Sequence, residues 1–217
     1  MKRKSLRVVK LGGSLLGYDR LRERFAAWIG VQPVMKTVIV AGGGPLVEAI
    51  RQLDAIHGFS DVAAHWAAVD ALGVAARVVA ELFPKFPLVE QVADLDQHSD
   101  DTLILDVSRV LKESSSAAQL PWSWDVTSDS IAAWVAKAIE ADELVLLKSG
   151  LPLGGLDLEG LADEGYVDAY FPTIAADCEH LRLVNLRDPA FGEERVSVSR
   201  QAMLGRAAMA RGEGNAQ

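Results

Sequence analysis

The chain has a single cysteine, Cys178, in 217 residues. An intrachain disulfide is therefore excluded, as is a zinc site built on cysteine pairs. Cys178 reads as a small buried hydrophobe. Positive charge is also scarce: 22 basic against 30 acidic residues leave a formal net charge of −8. That balance argues against a broad basic face for nucleic acid and leaves room only for a local cationic pocket. No apolar run approaches the roughly 18 residues of a membrane span, and the basic opening MKRKSLR meets too short an apolar run for a secretory leader. The expected address is cytoplasmic, with no membrane and no nucleic-acid partner. The polar tail from Arg211 to Gln217 is expected to fray.

What is present is an alternation of apolar strands and amphipathic helices, with no internal repeat and no long linker. Leu6–Leu11, Thr37–Ala41, Leu103–Val107, Leu144–Leu147 and 181–186 read as strands. Helices are expected over Leu21–Trp28, through Leu46, Ile50 and Leu53, and from a cap at Ser60 or Asp61 through Val62, Trp66, Val69 and Leu72. Another begins near Thr127, and a short one lies near 171–178. Residues 77–92 read as a short strand with a proline-marked segment, 94–101 as too polar for core, and Ser114–Ser116 as a break. The stretch after Pro189 carries no clear pattern. Continuously apolar strands separated by helices predict a single α/β domain over 1–217, with a mainly parallel sheet.

Two strands run directly into glycines. VVKLGGSLL places Lys10 at the end of an apolar run, followed by Gly12 and Gly13; VIVAGGGPLVEAI places Gly42, Gly43 and Gly44 before a helix. Bare backbone lets amides approach an anion closely, and a following helix N-terminus adds unpaired donors. A tight turn is the other reading of each loop. Neither loop matches the GxxxxGK[ST] or GxGxxG nucleotide patterns. At the carboxyl end of its strand, the Lys10 ammonium can reach the crevice while its stem packs among apolar neighbours; the plain alternative is a lysine snorkelling from an edge. Lys148 repeats the arrangement, following LVLL and preceding SG. Asp129, in the first turn of the helix opened by VTSD, is either a dipole-stabilising helix residue or a carboxylate that fixes two lysines.

These three segments, VVKLGGSLL, VIVAGGGPLVEAI and DVTSDSIAAWVAKAIEADELVLL, resemble the amino acid kinase superfamily from Val8 to about Leu186. The resemblance implies a three-layer αβα sandwich, usually homo-oligomeric, with the acceptor in the N-terminal half and ATP in the C-terminal half. It implies transfer of the ATP γ-phosphoryl group, with Mg2+ accompanying the nucleotide, to a phosphate, carboxylate or carbamate. Lys10 then resembles the first catalytic lysine, Asp129 the aspartate that organises the lysines, and Gly12, Gly13 and Gly42–Gly44 the phosphate loops. Thr127 and Ser128 would lie near the phosphates; no direct metal ligand is assigned. Ala41 stands where several relatives have histidine. The later catalytic lysine of the family falls at Thr173 and its post-strand aspartate at Ser149, so Lys148 is expected to supply the missing charge from another backbone position.

GFSDVAAHWAAVDALG, WDVTSDSIAAW and LLKSG resemble a smaller branch of that superfamily, the aminomethylfuran phosphate kinases of methanofuran biosynthesis. This implies a small phosphomonoester acceptor and a diphosphate product. The alternatives are a carboxylate or carbamate kinase, or a nucleotide-binding regulatory protein that has lost its chemistry. Acceptor contacts are assigned to Arg51, Asp61, His65 and Asp125, although His65 and Trp66 have packing roles as their plainer reading, Asp61 a cap and Arg51 a solvated face. Trp122 and Trp124 are candidates to close over the acceptor.

Overall fold

The computed structural model describes residues 5–99, 101–114, 117 and 119–196. Ser115, Ser116 and the tail from Arg211 lie outside the described residues. Seven strands form one sheet: β1 (Leu6–Leu11), β2 (Lys36–Ala41), β3 (Leu88–Val89), β4 (Thr102–Leu105), β5 (Glu143–Lys148), β6 (Leu181–Asn185) and β7 (Glu193–Val196). Their spatial order is β3-β4-β2-β1-β5-β6-β7, and every pairing is parallel except β6 with β7. This is the expected αβα sandwich, closed at one edge by the antiparallel β7.

Alternation along the strands decides which residues meet which helices. Val8, Val38, Leu103 and Leu144 face one core, with α5 (Ser128–Ala138), α6 (Leu158–Asp163) and α7 (Phe171–Ala175). Val9, Ile39, Ile104 and Val145 face the other, with α1 (Leu21–Gly30). Two-residue periodicity therefore puts Lys10 and Lys148 on the same face as Val8 and Leu144. Lys10 pairs with Leu146 in the β1–β5 register, so the two lysines sit on adjacent strands near their carboxyl ends. The connections leaving β1 and β5 cross opposite faces, which opens a crevice between them where α/β sheets bind ligands.

Residues 77–82 continue α3 (Asp61–Leu82), because the buried Ala75, Ala76 and Val79 keep helical spacing that the adjacent valines disguised as a strand. Strand character appears only at Leu88–Val89. Leu95, within the polar stretch 94–101, is buried in a 3-10 turn over Val92–Asp96. The strand expected to reach Val107 ends at Leu105, since Asp106 caps a further helix, α4 (Val107–Glu113), accepting from Ser108 N at 3.0 Å. The unpatterned segment after Pro189 supplies β7. α2 (Pro45–His57) buries no residue, and Leu46 and Leu53 are exposed. α3 is long and apolar enough to cross a membrane by length and composition, yet its Val69, Leu72 and Val79 are core residues here.

The opposite end of the sheet is tied by charge. Glu143 accepts from Arg182 Nε at 2.8 Å and from Arg7 Nε, while Arg182 also donates to Glu193 and Gln32. Burial pushes the Glu143 carboxyl up, but bonds from Arg7 and Arg182 outweigh it and hold the group below its ordinary value. Three strands are thereby pinned at their amino ends, away from the crevice.

Candidate active site

At the carboxyl ends of β1 and β5 the two lysines converge on one carboxylate. Lys10 Nζ lies 2.8 Å from Asp129 Oδ1. Lys148 Nζ lies 2.9 Å from both carboxylate oxygens and donates its third bond to the Tyr166 carbonyl at 2.6 Å. Burial works to raise the Asp129 pKa, but Lys10 and then Lys148 overcome it and hold the group down at about 2. Lys148 is lowered, chiefly by its own burial, with Asp129 opposing and Lys10 reinforcing. Two cations flanking one anion hold Asp129 ionised. With all three groups ionised, the trio carries a surplus of one positive charge in a buried place. Such a surplus is costly alone and favours an incoming anion.

The glycine loops meet each other. A Cβ on Gly13 would lie 2.2 Å from Gly44 N, and one on Gly42 would lie 2.6 Å from Gly13 N. Gly44 adopts φ +51°, a left-handed conformation that itself favours glycine. Gly12 N donates to Leu147 O and Gly42 N to Leu11 O, so these two amides are committed to the backbone around the sheet. Gly13, Gly43 and Gly44 line the cavity beside Lys10. The glycines thus have a structural reason of their own: two turns pack main chain on main chain, and only part of the run faces the cleft.

That cavity holds about 230 Å3. Its floor is formed by Lys10, Asp129, Thr127 and Ser128, and its outer wall by Glu48 and Arg51 of α2, with Trp124 facing them. The Arg51 guanidinium sits 4.2 Å from the Trp124 ring centroid, and Trp124 Nε1 donates to Asp54 Oδ2 at 2.6 Å. His65 is buried and also lines the cavity; burial lowers its pKa, against a backbone hydrogen bond at Ser123, so it is neutral at pH 7. Trp122 is exposed and meets the half-buried Trp66 edge-on, with ring centroids 5.8 Å apart.

Two expected acceptor residues are not brought into this cavity. Asp61 is exposed in the first turn of α3, at the free end beyond the cap Ser60, which accepts from Ala63 N at 3.3 Å. Asp125 is turned outward because its neighbour Val126 takes the buried position, and its carbonyl accepts from Tyr170 N at 3.0 Å. Thr173 is exposed in α7, while Ser149 receives a hydrogen bond from Ser14 at 3.2 Å. Cys178 is half-buried, and burial pushes its thiol up to about 11, too high for a nucleophile at neutral pH.

The reading from sequence missed Glu48, Tyr166 and Asp168. Glu48 follows GGGP by spacing alone, and a helix-start glutamate has a capping explanation that hides any other. Tyr166 acts through its carbonyl, which side-chain identity does not reveal. Asp168 reaches Thr127 and Ser130 across about 40 residues, a distance at which local pattern is silent.

A doubly faced parallel sheet with lysines and glycine turns gathered at its carboxyl edge defines an α/β protein suited to handling a small anion. The chain belongs to the amino acid kinase family, whose model matches residues 5–150. It is 24% identical over 161 residues to the [5-(aminomethyl)furan-3-yl]methyl phosphate kinase of Methanocaldococcus jannaschii, covering 73% of this chain and 69% of that protein. In fold it is similar to UMP kinase from Ureaplasma parvum, with TM-score 0.64 and 14% identity over 91% of this chain and 97% of the other. UMP kinase from Bacillus anthracis gives 0.60 and 16% over 94% and 93%. Aspartate kinase from Synechocystis gives 0.60 and 15% over 90% of this chain and 41% of that larger one.

Proposed function

We propose that the chain is a kinase transferring the γ-phosphoryl group of ATP to a small phosphomonoester, with [5-(aminomethyl)furan-3-yl]methyl phosphate as the leading acceptor. The observation that carries this reading is the convergence of Lys10 and Lys148 on Asp129, with a surplus positive charge where the buried Lys10 and Asp129 line the cavity. The acceptor is supported by the similar curated kinase. An acceptor phosphate oxygen would attack the γ-phosphorus as the bond to the ADP oxygen breaks, giving ADP and a diphosphate. The attacking oxygen is already ionised, so no general base is required. Lys10 and the amides of Gly13, Gly43 and Gly44 would balance charge on the moving group, and Lys148 would sustain the positive field through Asp129.

Arg51, preorganised on Trp124, is proposed to take the acceptor's phosphate, and His65 to wall its ring. Mg2+ is proposed to enter as a companion of ATP, held through the nucleotide's phosphates, because Asp129 is already saturated by two ammonium groups. The metal would neutralise phosphate oxygens and keep much of its water. The N-terminal half is proposed as the acceptor side and the C-terminal half as the ATP side. The homo-oligomer is also a proposal; the outward row Leu46, Ala49, Leu53 and Ile56 on α2 has coiled-coil spacing and is exposed. Light scattering should return a mass above one chain, and a strictly monomeric mass at micromolar concentration would reject it.

A second reading has one observation in its favour: all three Lys148 N–H donors are already occupied, as a lysine with a purely structural role would require. The discriminating experiment supplies ATP and Mg2+ with the furan phosphate, UMP and a panel of carboxylates and carbamates, and follows new phosphoanhydrides by 31P NMR. The furan phosphate should give the highest kcat/KM. Preference for a carboxylate or carbamate would replace the acceptor class, and ATP binding without transfer to any acceptor would favour the regulatory reading.

A further inference from the structure

We infer that Asp168 is a positioning residue of the trio: from outside α5 it clamps that helix's first turn and so sets Asp129 between Lys10 and Lys148. The inference rests on the reading of the trio as catalytic. Asp168 Oδ2 accepts from Thr127 N at 3.0 Å, Thr127 Oγ1 at 2.8 Å and Ser130 N at 3.0 Å, and Oδ1 accepts from Ser130 Oγ. Thr127, the N-cap, makes no side-chain cap of its own. The cap is thus supplied by a carboxylate from the segment before α7, satisfying donors that would otherwise stay orphaned at the helix start.

The same short segment holds the lysine. Tyr166 O accepts a hydrogen bond from Lys148 Nζ at 2.6 Å, and the Tyr166 hydroxyl donates to Leu151 O at 3.1 Å in the loop after β5. Tyr170 N donates to Asp125 O at 3.0 Å, just before α5 begins. Both ends of the Asp129–Lys148 pair are therefore braced by residues 166–170. Around the Lys148 ammonium the charged groups are Asp129 from α5, Lys10 from β1 and Asp168 from this segment, and Asp168 acts to keep Lys148 protonated. An ordinary cap would contribute helix stability alone. A brace reaching both partners also sets the distance between lysine and carboxylate, where a displacement of about 1 Å can cost on the order of 100-fold in rate.

The test is Asp168→Asn in the full chain, with Lys148 titrated by 13C NMR at its ε carbon, which needs no substrate. The Lys148 titration should move to lower pH, and kcat should fall by about 100-fold with KM for ATP within roughly twofold. Ser60→Ala, which removes the cap of α3, is the control: it should lower the melting temperature and leave the Lys148 titration where it was. Should the Asn variant fail to fold, Asp168→Ser keeps an acceptor for α5 without the charge and is read in the same way. A lowered melting temperature with an unmoved Lys148 titration would make Asp168 a helix cap only and overturn the inference. Full turnover in Lys10→Ala would instead overturn the catalytic reading of the trio, whatever Asp168 does.

Discussion

Lys10→Ala should lower kcat by about 100- to 1000-fold, the loss typical of removing one preorganised charge contact at a transferring group. Lys10 is only 4% exposed and its ammonium contacts Asp129 on the cavity floor. Truncating it leaves Asp129 paired with Lys148, so no buried charge is stranded. The trio changes from a net charge of plus one to zero, which removes the attraction for a phosphoryl group while leaving the strand and helix in place. Circular dichroism should therefore report a folded protein with little transfer activity. A folded variant with wild-type kcat would show that Lys10 takes no part in the chemistry.

Asp129→Asn reverses the balance and should be the most damaging single exchange for stability. Two buried ammonium groups would face each other without their shared anion, and losing one partner of a buried ionic group costs about 3–5 kcal/mol. Activity should fall too, because the lysine rotamers lose their common anchor. Acid dependence gives an independent readout. In the folded protein Asp129 titrates at about 2, below its ordinary 3.8. A carboxyl depressed in this way stabilises the fold above its ordinary value, and that stability is lost as pH falls between about 4 and about 2, on the order of 2 kcal/mol in all. Urea unfolding across that window should show a steeper loss in the native protein than in the variant, the difference removing what Glu143 and other carboxyls contribute to both. Equal stability of the two proteins at pH 7 would contradict the ionic trio.

Much of this was legible from residue order. A charged residue ending an apolar strand, followed by glycines, marks a sheet edge where something polar must be met, and it occurs at Lys10 and again at Lys148. Even spacing along β1 and β5 then places both lysines on the α5 side, and Asp129 in the first turn of α5 can reach them. What the order of residues leaves unstated is contact made over long separations or through main chain. Asp168 and Tyr166 belong to that class. The outward placement of Asp61 and Asp125 likewise depends on neighbours: a cap in one case, the buried Val126 in the other. The α3 extension was concealed because Val78 and Val79 suit a strand as well as a helix, and only the packing of Val79 between elements decides for helix.

Because the turns after β1 and β2 rest main chain on main chain, with a Cβ at Gly13 falling 2.2 Å from Gly44 N, this half of the pocket cannot be retuned by substitution. Any side chain there would pry the two strand ends apart. Divergence in what the protein accepts must then be written on the rim, at Glu48, Arg51 and Trp124, where side chains can change without disturbing the sheet. The interlocked turns act as a fixed die, and the rim as its replaceable face.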